Sequence, residues 1–435
     1  MPGSQRRCAT LARVRPQVAA LALLGVLGAA GVLPACADEP STPAPLPAAA
    51  VAPASRHDAL HAALVDESRA FAFDKGDWLE DLGDAPFFGL GSLSRRAVAN
   101  QLNDEDKRRH VEVLGRSRAL LAEELVKGDL QEKVMSALGL IDHVAATGDR
   151  SDVPLIDSFV DRLESLAKTF GDYLEGAAEQ SWAIRTYGPT AVTALVGLVD
   201  AQYALLVGGD RKEDRLTRAI EIDKKIAERA FSDLSDGSTS VRGFAIAPGR
   251  AAIELYPNVS MILLEGRLYR LTHDEAYKLQ ARAVYAAIQP LKLSDAPARY
   301  ASPYAAASLE AKTKDVSTLS SQNYLALALM VMFEITGESR FVEEADRVLD
   351  GIEKLRGPYC IADVHQDDAC DEACGAAKAC VASKCVDDKC TTGLLHHVVD
   401  GRLANKSDPT VFCSGCNLQT LYVVGYRRAL AGGSF

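Results

Sequence analysis

A helix terminator recurs along this chain at a nearly fixed interval, and no other feature limits its possible folds as much. Thr147-Gly148-Asp149, Gly208-Gly209-Asp210, Thr272-His273-Asp274 and Thr336-Gly337-Glu338 each follow an Ala- and Leu-rich run. Each precedes a charged, amphipathic segment, and their acids lie 61, 64 and 64 residues apart. Two weaker marks extend the series. Gly83-Asp84 stands 65 residues before Asp149, and Gly432 stands 95 after Gly337, or 64 once the Cys-rich stretch 360–390 is set aside. Regular spacing of this kind marks a repeated supersecondary unit. The chemistry of the turn agrees. A Gly past the last helical residue takes the left-handed conformation that ends a helix, and an acid after it serves the N-terminus of the next. His273 replaces the Gly in one copy and is expected to tolerate that conformation at some cost.

The two helices of each unit differ in character. Tyr324 to Phe333 is almost wholly apolar, as a helix buried on all sides must be. The segment after its turn carries Phe341, Ala345, Val348, Leu349, Ile352 and Leu355 with charges between them, one buried stripe of a surface helix. Residues 188–206 and 256–271 repeat the inner pattern, with 211–231 and 274–293 as their outer partners. Aromatics make up only 6% of the chain, which favours helix over sheet. The expected fold is all-α: six inner helices ringed by outer ones in an (α/α)6 toroid over residues 56–435, with 360–390 as a Cys-rich insert. An open solenoid carries the same local pattern and stays as the alternative.

Asn258 to Tyr277, reading NVSMILLEGRLYRLTHDEAY, and Gln322 to Arg340 resemble the inner-helix, turn, outer-helix signature of six-hairpin glycosidase-like proteins. The resemblance covers about residues 130–356 and the last helix, at the level of fold. That superfamily includes glycoside hydrolases, sugar epimerases and polysaccharide lyases, so it implies a carbohydrate-active protein without fixing which kind.

The N-terminus bears on compartment. Arg6, Arg7, Arg13 and Arg15 precede an apolar run from Val18 to Ala35 that ends Leu33-Pro34-Ala35-Cys36. A basic start, an apolar middle and small residues at the end make an export signal over 1–35. The last four residues resemble a bacterial lipobox, with Cys36 as the lipidated residue. Residues 36–55, with Pro40, Pro43, Pro45, Pro47 and Pro53, then form a semi-extended tether. The expected location is the bacterial cell envelope, lipid-anchored, at the outer membrane. The chain carries a net charge of −11, and loss of the four leader arginines takes it to −15. With no cluster of Lys and Arg, nucleic acid is not an expected partner. A membrane (through the lipid) and a cell-envelope glycan are.

Cys360, Cys370, Cys374, Cys380, Cys385, Cys390, Cys413 and Cys416 are an even set confined to the C-terminal part of the chain. In an exported protein they read as four disulfides of open connectivity, with zinc at Cys413-x-x-Cys416 as the alternative. No cofactor is expected otherwise. The acids of the insert, Asp363, Asp367, Asp368, Asp371 and Glu372, suit a Ca²⁺ site, against the plainer reading of a solvated stapled loop.

Loops leading into the inner helices are long, about 173–187, 232–255, 294–319 and 357–415, whereas the inner-to-outer turns are only a few residues. Any site therefore belongs on the long-looped face. Trp182 and Tyr187 suit sugar stacking and Arg185 substrate contact. Tyr256, Asn258, Gln322, Asn323 and Asn417 stand where inner helices begin and are candidate contacts, with capping as the competing role. His396, His397, Asp400 and Arg402 lie within seven residues and suit proton transfer and orientation. Hydrolysis of a glycosidic bond commonly uses two carboxylates. Asp400 and Glu254 are the first expected pair, with Glu179 or His397 as substitutes. A glycoside hydrolase or lyase is the leading expectation, and a non-catalytic lipoprotein that binds a glycan or protein is the rival.

Overall fold

The computed structural model describes residues 51–70, 85–125, 130–171, 173–174, 182–235, 240–250, 253–301 and 316–360. It also describes 370, 373–375, 377–381, 384–387, 390–394, 397–399, 402–403 and 414–435. Among these residues lie twelve α-helices: α1 Asp58–Ala70, α2 Ala85–Val98, α3 Asp104–Ala122, α4 Leu130–Thr147, α5 Val153–Thr169 and α6 Trp182–Leu206. They continue with α7 Lys212–Ala230, α8 Leu255–Thr272, α9 Glu275–Ile288, α10 Leu319–Thr336, α11 Ser339–Glu353 and α12 Ser414–Leu430. Neighbouring inner helices run α2, α4, α6, α8, α10 and α12, and α12 packs back on α2. The ring is closed, so the fold is the (α/α)6 toroid and not the open solenoid.

The recurrent turn works through its side chains. In three copies the Thr hydroxyl donates to the carbonyl four residues back (Thr147 to His143, Thr272 to Leu268, Thr336 to Met332). The same oxygen accepts the N–H of the acid two residues on, at 3.1 to 3.2 Å. The residue between is left-handed each time, with φ 74° at Gly148, 56° at His273 and 71° at Gly337. Asp274 then caps α9 by accepting the N–H of Ala276 at 2.9 Å. Glu338 makes no such cap; its carboxylate pairs with Arg282 and Arg340. The Gly208-Gly209 copy uses two left-handed glycines and a short 3₁₀ turn instead.

Inner helices are buried because their sequences leave no polar face. Tyr324 to Phe333 is buried at every position, while α11 buries Phe341, Val342, Ala345, Val348, Leu349 and Ile352 on one side. Gly266 lets α8 approach α10, since a Cβ there would lie 2.2 Å from Val331. In α6 the helix breaks at Gly188 (φ 83°), so the inner segment begins at Pro189. Gly188–Leu206 is long and apolar enough to cross a membrane, and here it is a buried ring helix.

Closure differs from the simple repeat. The first inner-to-outer turn falls at Ala99–Asn103, where Asn100 is left-handed and the Asn103 side chain accepts the N–H of Asp106. It does not fall at Gly83-Asp84, which lies outside the described residues and precedes an inner helix. Gly432 does follow the end of a helix, with φ 78°. The outer partner of α12 is α1, from the other end of the chain. The seam is tied by polar contacts. Ala52 donates its N–H to Leu430 at 3.0 Å, Arg428 pairs with Asp58 at 2.7 Å, and buried Arg427 grips Asp346 at 2.8 and 3.0 Å.

The strands are short and confined to the long loops. β1 Phe231–Ser235 pairs antiparallel with β2 Ser240–Phe244, and β3 Lys292–Asp295 with β4 Ala298–Tyr300. β5 Val316–Thr318 joins β10 His397–Val399, which also pairs with β11 Arg402–Leu403. In the insert, β6 Arg356–Cys360 pairs with β9 Cys390–Leu394, and β7 Lys378–Val381 with β8 Lys384–Asp387. Disulfides join Cys360 to Cys390, Cys370 to Cys380 and Cys374 to Cys385. Cys416 is also disulfide-bonded, and Cys413 lies outside the described residues. The grouped sulfurs of Cys370, Cys374 and Cys385 are thereby spent as metal ligands. The acids proposed for Ca²⁺ lie outside the described residues.

Candidate active site

Because all inner helices run the same way, their N-terminal ends share one face of the ring, and the long loops open there. Across the ring axis near that face runs a layer of aromatic side chains. Tyr256 meets Tyr324 at 4.9 Å between ring centroids, Tyr324 meets Phe88 edge-on at 5.6 Å, and Phe88 meets Tyr422 at 5.3 Å. The Tyr324 hydroxyl points to Met135 Sδ at 3.7 Å. Beneath it only a cavity of about 20 Å³ remains, lined by residues such as Leu138, Leu195, Gln202, Leu263 and Arg267. That is about the space of one water molecule. Among the described residues the ring is thus floored, which leaves the long-looped side as the face for a ligand.

Glu254 stands at the start of α8, on that face. It is 8% exposed, its Oε2 is buried without a hydrogen-bond partner, and its side chain does not cap the helix. Burial pushes its carboxyl up to about 7, opposed by the charge of Arg250. A carboxyl that titrates near neutrality can give or take a proton during turnover, which an ordinary glutamate near 4.3 does poorly. Of the four expected catalytic residues, Glu254 is the one whose side chain is described. Glu179, His396 and Asp400 lie outside the described residues. His397 and Arg402 are placed by backbone only, His397 opposite Thr318 at the doorway of α10 and Arg402 opposite Val399. Trp182, Arg185 and Tyr187 occupy the helical turn before the Gly188 break, and their side chains are outside the description.

The carboxamides expected to touch substrate have other work. Asn258 Oδ1 accepts the N–H of Phe244 at 2.9 Å, while Nδ2 donates to the carbonyls of Phe244 at 2.8 Å and Glu254 at 2.6 Å. Gln322 holds the N–H and C=O of Tyr300 at 3.1 and 3.0 Å. Asn417 holds the N–H and C=O of Leu394 at 2.8 and 3.0 Å. Each is the fourth residue of its inner helix, and each grips one strand residue of the loop that leads in. Asn323 ties α10 to α12 through Cys416 O at 2.9 Å and Thr420 Oγ1 at 3.0 Å. Asn258, Gln322, Asn323 and Asn417 are fully or almost fully buried, and the hydrogen bonds described for them go to backbone and to a neighbouring helix: they fasten the mouth. Tyr256 is likewise buried, in the aromatic floor. The clamps had a visible signal in their common position within the helix, which only the helix starts make readable.

The architecture is an (α/α)6 toroid floored by packed side chains with one elaborated face. A sugar epimerase from a ruminal bacterium superimposes with a TM-score of 0.52 at 11% identity, over 83% of this chain and 95% of that one. A GH76 alpha-mannanase from Bacteroides thetaiotaomicron gives 0.49 at 13% identity, over 86% and 95%. Cellobiose 2-epimerase from Spirochaeta thermophila gives 0.49 at 12%, over 86% and 99%. At such identities the likeness is one of fold. No family model and no curated protein sequence matches the chain.

Proposed function

We propose that this protein is a carbohydrate-active enzyme of the cell envelope, lipidated at Cys36, that cleaves a glycosidic bond with Glu254 as proton donor and acceptor. The observation that carries the reading is the buried, unpaired Glu254 carboxyl at the looped face, raised to about 7. A sugar epimerase of the same fold supports the substrate class, and disulfides Cys360–Cys390, Cys370–Cys380 and Cys374–Cys385 support an oxidising compartment. Asp400, on the segment after β10, is the second carboxylate of the reading, and His397 its substitute. A screen of envelope and plant glycans tests the activity. Turnover that falls at least 100-fold in Glu254→Gln supports it, and turnover unchanged by that substitution overturns Glu254's role. Fatty-acid labelling that Cys36→Ser abolishes tests the anchor.

One observation favours a second reading, a lipoprotein that binds a glycan without cleaving it. Among the described residues the floor is aromatic, and of the buried acids at the mouth Glu132 pairs with Arg116 and Glu67 with Arg356, which leaves Glu254 alone without an ion pair. Under that reading the glycan screen yields binding without products, and Glu254→Gln binds like the parent.

A further inference from the structure

Beside the mouth, and outside the ring of inner helices, lies a cavity of about 310 Å³. One wall is the β3–β4 hairpin (Ser294, Pro297, Ala298, Arg299), the other the last turns of α11 (Val348, Gly351, Ile352) and the two residues Lys354 and Leu355 just past its end. Its back is Ser317 and Gln322, the doorway of α10. The hairpin leans on α11 at Gly351, where a Cβ would come within 3.1 Å of the Ala298 carbonyl, and this contact keeps the two walls a fixed distance apart. Two braces hold the hairpin: Lys292 pairs with Glu344 at 2.8 Å, and Gln322, at the back of the cavity, grips Tyr300. The space is therefore built into the fold. Its volume is at the lower end of small-molecule sites and suits one sugar ring.

The charge of this lining is unusual for the molecule. The whole chain has 59 acidic and 48 basic residues, yet among the described residues the lining carries Arg299 and Lys354 and no acid. Walls of Pro297, Val348, Ile352 and Leu355 offer an apolar face, and Ser317 adds a hydroxyl. Apolar walls with two cations at the edge fit a ring that has one hydrophobic face and a carboxylate. Position adds to this. Ser317 is on β5, which pairs with β10, the strand that carries His397, so the cavity and the mouth share a wall.

We propose that this cavity is a subsite for an acidic sugar, a uronate unit of the glycan whose neighbouring residue enters the mouth. The inference deepens the reading above and rests on it for the glycan, but it is tested by binding alone. Trigalacturonate and neutral trigalactose are titrated calorimetrically against the full chain, and against Arg299→Gln, Lys354→Gln and the double variant. The expected result is at least a tenfold preference for the acidic trimer, reduced in each single variant and lost in the double. The preference should shrink between 20 and about 300 mM salt, as a charge contact must. The readout is the ratio of the two affinities and not turnover, so failure of this test and failure of the catalytic reading are distinguishable. Lys354 is exposed and Arg299 half-buried, so circular dichroism and the melting point of each variant check that it folds as the parent does. Equal binding of the two trimers, a preference that survives the double variant, or no binding of the acidic trimer overturns the subsite. A free carboxylate such as acetate that competes as well as galacturonate would also overturn it, because the sugar ring would then contribute nothing.

Discussion

Asn258→Ala removes a side chain that has no solvent exposure and makes three hydrogen bonds, at 2.9, 2.8 and 2.6 Å. The alanine leaves the N–H and C=O of Phe244 and the C=O of Glu254 facing a dry space. Each buried group so orphaned costs about 1–3 kcal/mol, so the three together come to roughly 3–6 kcal/mol once partial relaxation is allowed. That is a large share of the roughly 5–15 kcal/mol by which a domain is stable. Urea unfolding read by far-ultraviolet circular dichroism gives the global loss, and hydrogen exchange in 240–244 shows where it begins. Asn258→Asp sharpens the test. It keeps the acceptor for the Phe244 N–H but turns the two donors against carbonyls, and it places a carboxyl where burial favours the neutral form. Its pKa in the fold is then raised, so stability is present at low pH and lost as pH rises through that raised value. Asn258→Asp should be closer to the parent at pH 5 than at pH 8. A loss under about 1 kcal/mol in Asn258→Ala with unchanged exchange in β2 would refute the clamp.

The other expectations follow from titration and connectivity. Glu254→Gln should lose activity and its pH dependence near 7 while gaining stability. The carboxyl's raised pKa means its favourable contribution is present below about 4.5 and lost as pH rises through 7, so at pH 8 the glutamine form should be the more stable by about 2–3 kcal/mol. His61, 5% exposed, accepts a hydrogen bond from Arg428 at 2.9 Å on Nδ1, and burial beside Arg428 and Arg96 lowers its pKa to about 4. The neutral ring therefore stabilises the seam above 6.5, and about 3 kcal/mol is lost as pH falls towards 4; His61→Gln should flatten that decline in melting temperature. Reduction should open the Cys416 bridge and free the insert, whose three defined disulfides close loops of 30, 10 and 11 residues within 360–390. Proteolysis in that stretch should follow, with the helical melting transition shifted by no more than about 3 °C; loss of the helical signal on reduction would refute it.

What the sequence made readable was local. The Thr-x-acid turns carry their own hydrogen bonds within five residues, so their spacing reports the hairpins directly, and even left-handed His273 sits in register. Ring closure was beyond such reading. The contact of α1 with α12 joins residues some 370 apart, and nothing in Arg428 or Asp58 alone names the other. The site fell between these cases. A polar residue at the start of an apolar helix has to spend its hydrogen bonds somewhere, and composition does not say whether a ligand or a backbone receives them. For Asn258, Gln322 and Asn417 the receiver was backbone. Glu254 is one residue outside its helix, does not cap it, and keeps a buried Oε2 without a hydrogen-bond partner among the described residues.

That contrast explains how the ring tolerates such long loops at one face. A loop that crosses to the next inner helix has backbone groups to satisfy and little apolar surface of its own to bury. A carboxamide one turn inside the helix presents one donor and one acceptor at the spacing of a strand residue's own N–H and C=O, as a neighbouring strand would. Three of the long loops are pinned at that point, at Phe244, Tyr300 and Leu394. Residues beyond each pin can vary without unravelling the ring, and chemistry-bearing side chains belong there. Removing the clamps should therefore damage binding at the mouth before it opens the helical core, and an equal loss of both would count against this division of labour.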